Sequence, residues 1–266
     1  MTDISLSFEP PFARIVLNRP ERRNAISRAM WRALPAIKTA VEARADALVV
    51  LVEGAGGHFS AGADISEFDE VYKDATATRD YGDAIQSGLK ALIEVDRPTI
   101  AILQGNAVGG GLGVALACDL RFSAADAFLA VTPAKLGLVY GHAETRRLVE
   151  LVGPSRAKDL LFTGRRIETD EALAIGLIDR RVETALRETV LGYARGLADL
   201  SQASIRGAKR AVHAIAGGLA VETPAFRALT EEAALGPDFA EGRAAFAEKR
   251  PARFAFRGPT RAVPHA

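Results

Sequence analysis

Sulfur and aromatic chemistry are scarce in this 266-residue chain, which has one Cys, two Met, one Trp and 6% aromatic residues. The single Cys118 excludes a disulfide framework and a multi-cysteine metal site, and it reads as a small buried hydrophobe. Net charge is nearly absent too, with 34 Lys plus Arg against 33 Asp plus Glu, or +1 overall. No global positive field recruits phosphates, so a nucleic-acid partner is not expected. Long apolar runs are missing, and the start Met1-Thr2-Asp3 has neither the basic region nor the apolar stretch of a signal peptide. A soluble cytoplasmic protein with no membrane partner is the expectation. The four histidines, His58, His142, His213 and His265, are scattered, and no metal site is expected from them. What is present, 48% hydrophobic and 25% charged residues, is ordinary globular composition at a length that builds a substantial core.

The chain opens on alternating apolar positions either side of Glu9-Pro10-Pro11, a hairpin with a proline-bearing turn. Ser27 then caps a helix carrying Met30, Leu34, Ile37 and Val41, with Pro35 inside it. Residues 47–52 form a continuous apolar run, as in a strand covered on both faces. The pattern returns with a helix over about 78–94, a strand over 99–103, a glycine loop, a helix to Ala117 and a strand over 120–123. Strand, glycine loop and helix recur, so α/β units with their loops gathered at one end are expected. From about Ala143 the chain reads as mostly helical, over 154–162, 170–175, 186–200, 204–216 and 224–234. The division expected is a core over 1–200 and a helical tail over 201–266.

Two glycine loops follow the central strands: His58-Phe59-Ser60-Ala61-Gly62-Ala63-Asp64-Ile65, and Gly105 through Gly113 with the triplet Gly109-Gly110-Gly111. A glycine run at a helix N-terminus leaves backbone N–H groups unobstructed where the helix dipole favours negative charge. Two such donors at one sheet edge can hold a developing oxyanion, although either loop alone reads more readily as a plain turn. The glycines do not spell the dinucleotide fingerprint, since Gly109, Gly111 and Val114 fail its spacing. A nicotinamide enzyme is thereby disfavoured. Phosphate-loop, serine-elbow and zinc-protease motifs are missing as well.

The two loops together, in order, resemble the crotonase, or enoyl-CoA hydratase/isomerase, superfamily. Arg19-Pro20 through Asn24-Ala25-Ile26-Ser27 is similar to its N-terminal segment, and Phe59 through Ile65 to its first loop. Gly105 through Gly113 with Cys118-Asp119-Leu120-Arg121 is similar to its second. Phe162-Thr163-Gly164, Ala172 to Ile178 and Glu241 to Phe254 resemble downstream markers, so nearly the whole chain is covered. The resemblance implies an α/β fold, a ββα spiral core with a C-terminal helical trimerisation region. It implies acyl-CoA thioester substrates, a homotrimer or hexamer, and no cofactor beyond the coenzyme A that arrives with the substrate. It also implies that the N–H groups of Ala63 and Gly110 form an oxyanion hole. Ala61, Asp64 and Ile65 would line the CoA site, with Lys249 neutralising a CoA phosphate.

Hydratases of this superfamily use two glutamates, and here Gly113 and Pro133 stand at those positions. Neither residue transfers protons, which puts the standard hydration mechanism in question. The adjacent segment, Gly137 to Thr145, supplies Tyr140, His142 and Glu144 as acid/base candidates, with Glu67 another. Thr132-Pro133, Leu136-Gly137 and Tyr140 together are similar to the methylmalonyl-CoA decarboxylase branch. An acyl-CoA lyase or isomerase is therefore the leading expectation. A decarboxylase-like activity, or a CoA-binding member without hydratase chemistry, is the alternative.

Overall fold

The computed structural model describes residues 2–257; His265 and the end of the expected tail lie outside them. The chain begins with β1 (Ile4–Glu9) and β2 (Phe12–Leu17), paired antiparallel as the hairpin pattern predicts. Helix α1 (Arg28–Glu42) follows, its first turn capped by Ser27 Oγ, which accepts from Met30 N at 3.3 Å. Pro35 sits inside α1. The Trp31 carbonyl, which Pro35 deprives of its usual helical donor, faces Gly88, where a β-carbon would come within 2.8 Å of it.

Strand β3 (Val49–Gly54) leads through the first loop to the short α2 (Phe68–Val71) and the long α3 (Ala75–Ile93). Strands β4 (Thr99–Leu103) and β5 (Asn106–Val108) precede α4 (Gly110–Ala117), which is followed by β6 (Leu120–Ala124) and β7 (Phe128–Ala130). Helix α5 (His142–Thr163) is broken at Gly153, whose φ of 77° no helix allows, so Pro154 opens a second helical run as its position suggests. Then come β8 (Arg166–Glu168), α6 (Thr169–Ala174), β9 (Arg180–Val182), α7 (Leu186–Ala198), α8 (Gln202–Ala216), α9 (Pro224–Leu235) and α10 (Pro237–Glu248).

The larger sheet has the order β1-β2-β3-β4-β6-β9 and is parallel except for the β1–β2 pair; β5, β7 and β8 form a smaller one. Both faces of the larger sheet are buried, which is why its central strands read as continuous apolar runs. Ala13, Ile15, Val50, Val52, Ala101 and Leu103 point into the main core with α1, α3 and α4. Phe12, Val49, Leu51, Ile100 and Ile102 point the other way, against Val190 and Ala194 of α7. Cys118 is free and fully buried, and burial pushes its thiol up to about 12.

The region after Ala143 is less uniformly helical than its composition suggests. Strands β8 and β9 are three residues each, and Arg166, Arg180 and Arg181 give them no apolar period to detect. Helix α10 also escapes the sequence pattern. Helix α8 is tied to the core by Lys209, whose Nζ donates to Asp119 Oδ2 at 2.7 Å and to the Arg97 carbonyl at 2.9 Å. No described helix is long and apolar enough to cross a membrane.

Candidate active site

The first glycine loop is held on both sides by backbone. Ile26 N donates to Gly62 O at 2.7 Å and Asp64 N to Ile26 O at 3.0 Å, while Ala61 N donates to Arg23 O at 2.8 Å. On the other side Ser60 N donates to Asn106 O and Val108 N to Ser60 O, which lays the loop along β5. Asn24, buried and left-handed at φ 56°, ties the entry together: its Nδ2 donates to Ala55 O and His58 O, and Arg19 N donates to its Oδ1. Residues 19–27 are thus a brace for the loop, a role that sequence pattern did not reveal.

The second loop meets the first edge to edge. A β-carbon on Gly111 would lie 2.5 Å from Ser60 Cβ, and one on Gly62 would lie 3.0 Å from Val108 O and 3.7 Å from Gly110 N. One on Gly110 would lie 3.5 Å from Ala63 N and 3.2 Å from the Trp31 ring. The backbones approach this closely only because side chains are missing. Gly110 is the first residue of α4, so its N–H has no partner inside the helix. Among the described residues, neither the Gly110 N–H nor the Ala63 N–H has a protein acceptor. Two half-buried donors therefore stand side by side at a helix N-terminus, where the dipole favours an anionic oxygen.

One turn along α4 from Gly110, Gly113 leaves a space into which two side chains turn. A β-carbon there would lie 3.1 Å from Glu144 Cγ and 3.6 Å from Tyr140 Oη. Glu144 belongs to the first turn of α5 but bends inward and is 5% exposed. Its Oε2 accepts from Gln86 Nε2 of α3 at 3.0 Å, and Ala143 N donates to Gln86 Oε1 at 3.1 Å, which fixes the orientation of the Gln86 amide. Burial raises the Glu144 carboxyl above its ordinary 4.5, against the lowering effect of its backbone and Gln86 hydrogen bonds. Tyr140 Oη donates to Gly109 O at 2.8 Å, and burial pushes its hydroxyl well above 10, so it stays protonated. Aromatic rings continue the wall: Phe68 and Tyr72 meet edge to face at 5.1 Å, Tyr72 and Tyr81 at 5.7 Å. Burial and then the nearby Glu144 charge raise the Tyr72 hydroxyl.

The remaining expected residues are placed differently. His142 is exposed, in a cleft of about 630 Å³ with Lys90, Arg146 and His213, on the outer side of α5. Glu67 accepts from Arg28 N at 2.7 Å and serves the start of α1. Asp64 is buried and ion-paired with Arg19 at 2.7 Å; burial would raise its carboxyl, but hydrogen bonds from Ser66 and Arg19 outweigh that and hold it at about 2. Ala61 and Ile65 are exposed on the loop rim, and Lys249 is exposed just past α10. Pro133 begins a short 3-10 turn, and the adjacent Thr132 lies beside Gly109.

The sequence profile of the enoyl-CoA hydratase/isomerase family matches residues 8–257. The chain belongs to that family. Its fold is that of a solved enoyl-CoA hydratase/isomerase family protein from Hyphomonas neptunium, with a TM-score of 0.93 and 43% identity over 96% of this chain and 98% of that one. The short-chain-enoyl-CoA hydratase of Clostridium acetobutylicum is 32% identical, over 94% of this chain and 96% of its own length. The mouse mitochondrial Delta(3,5)-Delta(2,4)-dienoyl-CoA isomerase is 30% identical, over 73% of this chain and 63% of its own. Lyases and isomerases both stand among the relatives, so family membership makes this an enzyme of that general kind without choosing its reaction. In this chain the buried Glu144 carboxyl is carried on α5 and faces Gly113.

Proposed function

We propose that this chain is an acyl-CoA isomerase that carries a thioester enolate between the N–H groups of Ala63 and Gly110, with Glu144 moving the proton. The observation that carries this reading is the juxtaposition of two amide donors, unpartnered among the described residues, with the buried, inward-turned Glu144 carboxyl beside Gly113. In the forward step the Glu144 carboxylate takes a proton from the α-carbon of a 3-enoyl thioester. The electron pair passes to the thioester oxygen, where two backbone donors oppose the charge. The Glu144 carboxyl then returns the proton at the γ-carbon, and the double bond moves into conjugation with the carbonyl. A raised carboxyl suits this shuttle, because one group must serve as base and then as acid.

Hydration fits less well. It calls for two carboxyl groups, one for water and one for carbon, and Gly113 and Pro133 supply neither. Asp64 at about 2 is tied to Arg19 and Ser66 and does not replace them. Decarboxylation is the second reading, favoured by Tyr140 in a segment similar to that branch.

Ala61, Asp64 and Ile65 are assigned to the CoA rim and Lys249 to a CoA phosphate; no resident cofactor is proposed. Exposed Val212, Leu235 and Phe246 on α8, α9 and α10 support a trimer or hexamer assembled through the helical region.

Purified protein offered 2-enoyl-, 3-enoyl- and malonyl-type CoA esters tests the reading. Conversion of the 3-enoyl ester is expected, falling about 10²- to 10⁴-fold in Glu144→Gln. Turnover of the malonyl-type ester alone would establish the second reading. CoA binding with no turnover of any ester would leave a binding protein and end the enzymatic one.

A further inference from the structure

We propose that Tyr140 is a positioning residue for the oxyanion hole: its hydroxyl holds the carbonyl of the Gly109–Gly110 peptide and so aims the N–H of that same peptide at the substrate oxygen. The inference rests on the assignment of Gly110 as an oxyanion donor. Gly109 O and Gly110 N–H are the two ends of one planar amide, so whatever fixes the carbonyl fixes the N–H pointing the opposite way. Tyr140 Oη donates to Gly109 O at 2.8 Å, and Gly113 N donates to the same oxygen at 3.0 Å as the first helical bond of α4.

The peptide needs such a hold. Gly109 has φ 48° and ψ −122°, a conformation that side-chain-bearing residues avoid, and the rotation at ψ sets the plane of the 109–110 amide. The other side of the residue is anchored where Gly109 N donates to Ala130 O at 2.9 Å. Tyr140 comes from the segment ahead of α5 and thus pins the amide from outside its own helix. A donor on an amide oxygen also polarises the amide and strengthens its N–H as a donor, an effect of about 10–30% per hydrogen bond.

The same geometry separates Tyr140 from Glu144. The only hydroxyl proton of Tyr140 already lies on Gly109 O, so it is not offered to a substrate carbon. Glu144 has no such commitment as a donor. One group sets the field and the other moves the proton.

The test uses 4-(dimethylamino)cinnamoyl-CoA, whose absorption moves to the red as its thioester carbonyl is polarised, with wild type, Tyr140→Phe, Gly110→Ala and Gly110→Pro. The alanine and proline variants both add the same β-carbon, 3.2 Å from the Trp31 ring and 3.5 Å from Ala63 N, but only the proline removes the N–H. Gly110→Pro losing the red shift that Gly110→Ala retains confirms the donor; both retaining it overturns the oxyanion reading itself. With the donor confirmed, Tyr140→Phe is expected to bind the probe with a reduced red shift. Its kcat should fall about tenfold, the rate equivalent of one hydrogen bond, with KM and the acid limb of the pH profile unchanged. A full red shift in Tyr140→Phe overturns the positioning role, and so does loss of a limb of the pH profile, which would make Tyr140 the acid or base.

Discussion

Glu144 stands where Gly113 has no side chain: a β-carbon at position 113 would touch Glu144 Cγ at 3.1 Å. The two residues are 31 positions apart and on different helices, yet each explains the other. Glycine clears the space on α4, and α5 delivers a carboxyl into it.

Restoring a glutamate at 113 therefore should not restore a hydratase. Gly113→Glu puts a second carboxyl into a filled space beside a carboxyl that burial already raises. Overpacking alone costs about 1–3 kcal/mol. A lower melting temperature and loss of 3-enoyl-CoA turnover are expected, and a gain of crotonyl-CoA hydration would show that the site rearranges to take both groups.

The buried Glu144 carboxyl carries a pH signature in stability. Its native pKa lies above the unfolded value, so the folded state binds the proton more tightly. That contribution is fully present below the unfolded pKa and is lost as pH rises through the native one. Glu144→Gln should accordingly melt above wild type at about pH 8, and the gap should close towards about pH 4. Differential scanning calorimetry across that range measures it; a constant gap would place the titration elsewhere.

Gln86 touches the carboxyl on one side and the α5 backbone on the other. Its Nε2 hydrogen bond favours the charged form of Glu144, so Gln86→Met should raise the Glu144 pKa further. The acid limb of kcat/KM then moves to higher pH. An unmoved limb with a lowered plateau would mean that Gln86 only packs.

Asp119 accepts from Thr99 N, from Thr99 Oγ1 and from Lys209 Nζ, joining β4, the turn before β6 and α8. Asp119→Ala leaves Lys209, whose side chain is 9% exposed, without its carboxylate partner. Breaking a fully buried pair typically costs about 3–5 kcal/mol, and a loss towards the lower end is expected because Asp119 is 23% exposed. Denaturant unfolding should show that loss, and proteolysis should cut first in the segment around α8; a change under about 1 kcal/mol would show the cluster to be solvated.

Much of this was legible beforehand where a residue type has a local physical meaning. The apolar runs at 47–52 and 99–103 became β3 and β4 because both faces of the sheet are covered. The triplet at 109–111 opened α4, and Ser27 capped α1. Strand β9 was not legible, since Arg180-Arg181-Val182 becomes a strand only by pairing with β6. The brace built from Arg19 and Asn24 was hidden for the same reason: its partners, Asp64, Ala55 and His58, lie 31 to 45 residues downstream.

The sequence by itself determined the family, through glycines and short motifs whose meaning is local, and it exposed the absence of glutamates at 113 and 133. Which of Tyr140, His142 and Glu144 faces the space at Gly113 was decided only by the tertiary structure. The three lie within five residues at the entrance to α5, Tyr140 ahead of the helix and His142 and Glu144 in its first turn, where side chains two positions apart point in different directions. Gln86 and the Gly109 carbonyl, brought in from elsewhere in the chain, hold Glu144 and Tyr140 inward, while His142 is left to the outer cleft.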